Sequence, residues 1–216
     1  MATDVVLLGP PGAGKGTQGE RIAAALGVPK IATGDVLRAA VREGTPLGLE
    51  AKAAMDRGDL VPDAVILGIM KETLATPAAA NGSVLDGVVR TEPQAEGLER
   101  TLGELGRRVD AVLLFEVAED ELVRRLGGRT VCDQCQTPYT GEEPGTACAK
   151  CGGTLVRRKD DEPAAIRNRL AVYRQQTAPV IDWYRANGTP LLEIDAVGNM
   201  DEVTRRALDA LEAARR

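Results

Sequence analysis

The sequence predicts an α/β fold built on a parallel sheet, and three observations carry that expectation. Five short apolar runs, DVVLLG (4–9), PKIAT (29–33), SVLDG (83–87), VDAVLLFEV (109–117) and PLLEIDA (190–196), read as strands. Their near-continuous apolar character suits strands buried on both faces, as in parallel sheets. Segments of helical periodicity lie between and after them, and a glycine-rich turn joins the first strand to the first helix. Such alternation favours a helix-covered parallel sheet with right-handed crossovers.

Each element has a local reason. After the turn, Ile22, Ala25 and Leu26 keep helical spacing and Gly27 stands where a helix stops. Residues 34–44 and 46–58 read as two helices joined at a glycine and a proline; 62–75 reads as a third, with Asp63 as its cap. Further helices are expected at 119–126, 161–187 and 199–215, where Arg215 and Arg216 suit the negative end of the last helix dipole. Residues 128–160 break the rhythm: they carry all four cysteines with several glycines and prolines, and read as a small inserted unit.

Composition narrows the chemistry. With 44% apolar and 27% charged residues the 216-residue chain is ordinary for a globular protein. No run approaches the roughly 18 apolar residues of a membrane span, and residues 1–8 lack the character of a signal peptide. A cytoplasmic protein without membrane contact is expected. The net charge of -5 and 2% aromatic content argue against nucleic-acid partners. There is no histidine, so chemistry must run on lysine, arginine, carboxylates, hydroxyls or thiols.

The stretch GPPGAGK places Gly9, Gly14 and Lys15 in the pattern G-x-x-x-x-G-K, after a strand and before a helix. In that context backbone N–H groups, the helix N-terminus and a lysine converge on phosphate. Here Gly16 intervenes before the hydroxyl of Thr17. With that variant, GPPGAGKGTQ resembles the adenylate kinases among the nucleoside monophosphate kinases. The resemblance continues through TGDVLR (33–38), LDGVVRT (85–91) with Gln94, GGR (127–129), RRKDD (157–161) and RNRL (167–170).

The resemblance implies a P-loop NTPase fold with a five-stranded parallel sheet wrapped by helices. A core (1–32, 62–127, 162–216) would carry an inserted helical AMP-binding segment (33–61) and a small zinc-ribbon-like lid (128–161). It implies reversible transfer of phosphate from Mg²⁺·ATP to AMP by a monomer, giving two ADP. Gly12, Ala13, Gly14, Lys15, Gly16, Thr17, Arg129, Tyr139 and Gly198 would meet ATP. Thr33, Gly34, Leu60, Val61, Gly87 and Gln94 would meet AMP, Thr33 and Gln94 facing its adenine. Arg38 and Arg90 would clamp the AMP phosphate, and Arg158 and Arg169 would reach the transferred group. Asp86 would organise water around Mg²⁺, and Asp160 and Asp161 would form a lid hinge. Arg124, Arg157 and Arg174 read as solvated surface charges. UMP or CMP as acceptor, and a nucleotide-binding module without turnover, are the competing readings.

One departure bears on the acceptor side. The family normally reads LDGFPRT; here Val88 and Val89 replace Phe-Pro. A non-proline cis bond costs about 2.5–4 kcal/mol, so the 88–89 bond is expected trans, with weaker or altered AMP binding.

The cysteines form C-x₂-C pairs, Cys132/Cys135 and Cys148/Cys151, with twelve residues between the pairs. Four thiolates at that spacing suit a closed, structural tetrahedral Zn²⁺ site; iron is the other ion such a set accepts. Disulfides are the main alternative and are disfavoured in a reducing compartment. The resemblance implies a zinc-bearing lid here, trimmed relative to the usual interval, whose closure would carry Arg129 and Arg158 onto ATP.

Overall fold

The computed structural model describes residues 3–215. In chain order, β1 (Thr3–Leu8) leads into α1 (Lys15–Leu26), and β2 (Lys30–Ala32) runs directly into α2 (Thr33–Glu43). Helices α3 (Pro46–Arg57) and α4 (Asp63–Leu74) precede β3 (Gly82–Asp86), α5 (Glu92–Glu104), β4 (Ala111–Glu116) and α6 (Glu119–Gly127). A small unit follows with β5 (Arg129–Cys132), β6 (Pro138–Thr140) and β7 (Leu155–Val156). The chain closes with α7 (Pro163–Val172), α8 (Pro179–Ala186), β8 (Leu191–Asp195) and α9 (Met200–Ala214).

The five strands read from the sequence form one sheet in the order β2-β3-β1-β4-β8, every pair parallel. Side chains alternate along β1 and divide the core in two. Val6 and Leu8 join Leu85, Val112 and Leu114 on one face, with α4, α5 and α8 residues such as Met70, Leu98 and Tyr184. Val5 and Leu7 join Val84, Leu113 and Phe115 on the other, with α1 and α9 residues such as Ile22 and Ala207. Both faces are thus covered, which is why these strands lack polar alternation. Because β1 is central, the loops after β1 and β3 emerge side by side at the carboxyl edge, the usual place for a ligand in such sheets. No helix among the described residues is long and apolar enough to cross a membrane.

Three local expectations change. The single helix expected over 161–187 is a 3₁₀ turn at Lys159–Asp161, then α7, a π-helical turn at Tyr173–Thr177, and α8. Pro179 lacks an N–H and cannot continue an α-helical ladder; the turn before it closes instead with Ala178 N–H donating to the Tyr173 carbonyl at 2.8 Å. Asp63 does not cap α4. Pro62 holds that position, and the Asp63 carboxylate accepts from Thr91 Oγ1 and Gln94 Nε2, tying α4 to α5. Helix α5 has no counterpart in the sequence reading. Its signal is polar: Thr91 caps it, accepting from Gln94 N–H, with proline in the first turn. Arg215 forms the C-cap of α9, while Arg216 lies outside the described residues.

Candidate functional site

Between β1 and α1 the chain turns through Gly9 (φ 139°), Gly12 (φ 88°) and Gly14 (φ 91°), conformations that side chains resist. Gly9 also lacks space, since a Cβ would lie 2.6 Å from the Phe115 carbonyl oxygen. Gly14 caps α1 without a side-chain bond, so the first N–H groups of the helix stay open to an anion. Lys15 folds back over this loop, Nζ donating to the carbonyls of Gly9 (2.6 Å) and Pro10 (2.8 Å). Burial brings the Lys15 pKa down to about 8; Asp86 opposes the shift, and Arg90, Arg169 and Arg129 add to it. Asp86 ends β3 opposite Leu7 in register. Gly16 lies beside this carboxylate: a Cβ there would be in ordinary contact with Asp86 Oδ2 at 3.4 Å.

Beside this loop an open cavity lies between the α2–α3 hairpin and the segment after β3. Its lining includes Thr33, Gly34, Arg38, Leu60, Val61, Arg90, Gln94 and Arg169, so most residues expected to meet AMP share one wall. Gly87 sits behind it at φ 63°, its carbonyl accepting from Thr33 Oγ1 (2.8 Å) and Arg90 Nε (3.2 Å). Gln94 lines the cavity but its amide is already engaged: Oε1 accepts from Arg90 N–H and Nε2 donates to Asp63 Oδ1, both at 2.8 Å. Thr177, which the sequence reading did not single out, donates to the Arg90 carbonyl at 2.9 Å from the π-helical turn. Val88 and Val89 are fully buried in the core beneath, and no peptide bond among the described residues is cis.

The remaining arginines close the site from the inserted unit and α7. Arg129 grips Asp161 with two bonds, Nε to Oδ2 at 2.7 Å and NH2 to Oδ1 at 2.6 Å. Arg169 donates to Asp161 Oδ1 and to the Asp160 carbonyl, each at 2.8 Å. Arg158 is brought down to about 9 by burial, then by the neighbouring charges of Arg38 and Arg129. The Nε atoms of Arg38 and Arg158 are buried without a hydrogen-bond partner. A buried donor left unpaired is costly. Here the cost marks a place for an anion, where Lys15, Arg38, Arg90, Arg129, Arg158 and Arg169 act on one another across the gap between loop and cavity.

Not every expected residue joins this cluster. Tyr139 sits on β6 with its hydroxyl 3.2 Å from Cys148 Sγ. Gly198 precedes the cap of α9 at φ 128°, beside Glu202 and Arg206. Arg124 and Arg174 pair on the surface with Glu121 and Glu119, and Arg157 is exposed.

In the inserted unit, β5 pairs antiparallel with β6 and β7. Its apolar cluster is only Cys132, Cys148 and Leu155, with Cys135 and Tyr139 against them. All four cysteines are free, and their sulfurs lie within 4.8 Å of one another. Cys132–Cys151 at 3.4 Å and Cys135–Cys148 at 3.6 Å approach the edge of about 3.8 Å expected for a tetrahedron with metal–sulfur bonds near 2.3 Å. The Tyr139 hydroxyl holds the Cys148 thiol down, to about 6, and the Thr137 hydroxyl lowers Cys135. Cys151 goes the other way, up to about 12, with the Gly153 N–H opposing the shift and the Cys135 and Cys132 sulfurs driving it, so the bias towards thiolate that suits a metal is confined to two of the four. Gly153 makes room for them, since a Cβ there would come within 2.8 Å of Cys132 Sγ.

A family model described as adenylate kinase matches residues 7–189. An adenylate kinase of Gemmatimonas aurantiaca is 71% identical over 209 residues, covering 96% of this chain and 98% of that protein. Adenylate kinases of Syntrophotalea carbinolica (50% over 211 residues; 96% and 97% covered) and Methanothrix thermoacetophila (48% over 205; 93% and 94%) are similar along nearly their whole length.

Proposed function

The chain belongs to the adenylate kinase family, and from that premise we propose that it transfers the terminal phosphoryl group of ATP reversibly to AMP, giving two ADP. One observation carries the reading best: six cations from separate chain segments converge between a phosphate loop and a second cavity, and two of them keep buried, unpaired donors.

On this reading the loop Gly12–Thr17 cradles the donor triphosphate, with Arg129, Tyr139 and Gly198 on the ATP side. The cavity of Thr33, Gly34, Leu60, Val61, Gly87 and Gln94 takes AMP. Arg38 and Arg90 hold its phosphate beside Arg158 and Arg169. That phosphate is already an anionic nucleophile at neutral pH, so no protein base is required. One of its oxygens attacks the γ-phosphorus, the bond from that phosphorus to the β–γ bridging oxygen breaks, and ADP leaves with the bond's electrons. Catalysis then rests on alignment and on fixed positive charge in a site closed to water. Lys15, Arg129, Arg158 and Arg169 supply that charge. Adenylate kinases use Mg²⁺ with ATP; Asp86, beside Gly16 and within the field of Lys15, would hold water on that ion, which would supply further neutralisation of the triphosphate's charge.

The same reading makes 33–61 the AMP-binding segment, 128–161 the lid, Asp160 and Asp161 its hinge, and the remainder the core. The four thiols would hold a structural Zn²⁺, since a set of four leaves no position for substrate. A reduced thiol centre fits a reducing compartment, so the cytoplasmic location expected from sequence belongs to this reading; the monomer rests on the family resemblance.

Coupled measurement of diphosphate formation from ATP with AMP, UMP, CMP and GMP tests it. AMP is expected to be preferred strongly. Comparable rates with UMP or CMP would reassign the acceptor, and no turnover with any of them would leave a nucleotide-binding module.

A further inference from the structure

Lys30 lies outside every motif that led to the site. It is the first residue of β2, paired with Val84 in the sheet, and its side chain is only 12% exposed. The stem runs along α1 at Gly19, where a Cβ would stand 3.1 Å from Lys30 Cδ. A side chain at Gly19 would crowd both this stem and Leu7 Cδ1, 3.0 Å from the same position. Its Nζ arrives between two carboxylates, Glu20 of α1 at 2.7 Å and Asp35 of α2 at 3.4 Å. Asp35 is in turn divided: Oδ2 faces Lys30, while Oδ1 accepts from Arg38 NH2 at 2.5 Å. Arg38 lines the acceptor cavity with its Nε buried and unpaired.

The result is a chain of charges, Glu20–Lys30–Asp35–Arg38, running from the helix behind the phosphate loop to the acceptor cavity. Arg158 acts on Asp35 from the far side, and Asp86 acts on Lys30 from β3. We propose that Lys30 is a positioning residue of the acceptor site: by holding one oxygen of Asp35 it fixes the carboxylate's orientation and leaves Arg38 part of its positive field for an incoming phosphate monoester. Without Lys30 most of the Asp35 charge falls to Arg38, the one other side chain among the described residues that bonds it, with Arg158 acting only through space. The guanidinium is then neutralised in place and free to turn with the carboxylate. Glu20 has the opposite influence, because it draws Lys30 away from Asp35.

The proposal rests on the reading that Arg38 meets the AMP phosphate, and the experiment separates the two. The full-length protein is assayed for ADP formation while AMP and ATP are varied in turn. Arg38→Met tests the reading alone; an unchanged KM for AMP in that variant would overturn the reading and, with it, the proposal. If Arg38 behaves as expected, Lys30→Met is expected to raise the KM for AMP about five-fold, a coupling usual for charges in one network, with kcat and the KM for ATP within two-fold. Lys30→Arg should restore it. Glu20→Gln, at a solvent-exposed position, should move the KM for AMP the other way or leave it unchanged. In an Asp35→Asn background the Lys30→Met effect should vanish. An unchanged KM for AMP in Lys30→Met, an equal rise in both KM values, or persistence of the effect without Asp35 would overturn the proposal. Should Lys30→Met fail to fold, the sign of the Glu20→Gln effect decides: a raised KM for AMP contradicts it.

Discussion

On the proposed reading, the donor and acceptor halves of the site are built from different materials. The donor half is backbone: three glycines at positive φ, a bare helix N-terminus, and one lysine folded onto two carbonyls within Gly9–Lys15. The acceptor half is side chains gathered from α2, α3, α4, the loop after β3, and α7, held by bonds such as Thr33 to Gly87, Gln94 to Arg90 and Asp63, and Thr177 to Arg90. A backbone cradle tolerates change around it, because few substitutions alter glycine geometry from a distance. A cavity assembled from buried hydrogen bonds depends on each of them, since every orphaned partner costs about 1–3 kcal/mol. The donor half should therefore be robust and the acceptor half tunable.

The largest expected effect tests whether the donor half stands on its backbone alone. Arg129 reaches the site from a unit whose apolar cluster is three residues, too small to hold itself. Verified removal of metal from its four thiols should lower the melting temperature by about 5 °C, the scale of one to two kcal/mol in a protein of this size. ADP formation at low temperature should fall by no more than about three-fold, the loss appearing in the KM for ATP rather than for AMP. Unchanged melting after verified removal would mean that the thiols are not what keeps this unit folded.

The same contrast explains what the sequence could disclose. All five strands of the sheet were legible because strands buried on both faces read as continuous apolar runs, and the phosphate loop because its parts are contiguous. Helix α5 was not: its apolar positions Ala95, Leu98 and Leu102 are interrupted by Gly97, where a Cβ would collide with Leu67 of α4. The π-helical turn was not, because residues 161–187 keep a helical pattern through it. The acceptor arginines could be named only through family resemblance, since nothing local distinguishes Arg90 from the surface-paired Arg124. What separates them is company: Arg90 stands in the field of Arg169, Asp86 and Arg38, on backbone held by a residue as distant as Thr177. The Lys30 relay was illegible for the same reason: it joins a strand to two helices, and its clue is a missing side chain at Gly19.

A smaller effect is expected on the acceptor side, at Val88 and Val89. Both lie fully buried beneath Gly87 and Arg90, the two residues whose bonds shape the cavity wall. Replacing them with Phe and Pro should lower the KM for AMP about three-fold, with the KM for ATP unmoved; larger groups there also risk overpacking at about 1–3 kcal/mol, so melting is recorded alongside. A variant that stays folded and shows no gain in AMP affinity would mean that the valine loop already presents Arg90 correctly, and the acceptor half would be less tunable than its construction implies.

The smallest effect is a fraction of a proton, and it belongs to the donor half. Burial brings Lys15 down to about 8 from an ordinary 10.5, so above pH 8 much of the free protein carries this lysine neutral. A bound triphosphate favours the ammonium form and moves the value back up. The sign follows: ATP binding takes up protons between about pH 8 and the raised value, and takes up none from this lysine near pH 6.5, where it is charged in both states. The same depression means that the buried ammonium opposes folding at neutral pH, and that this opposition fades as pH rises from about 8 towards 10.5. Calorimetric titration at pH 8.5 in two buffers of different ionisation enthalpy should report uptake of about half a proton with ATP, reduced in Lys15→Met. AMP, which on the proposed reading binds in the cavity that Lys15 does not line, should give less. Equal uptake with both nucleotides would mean that the linked group is shared by the two halves, and that the loop and the cavity titrate as one site.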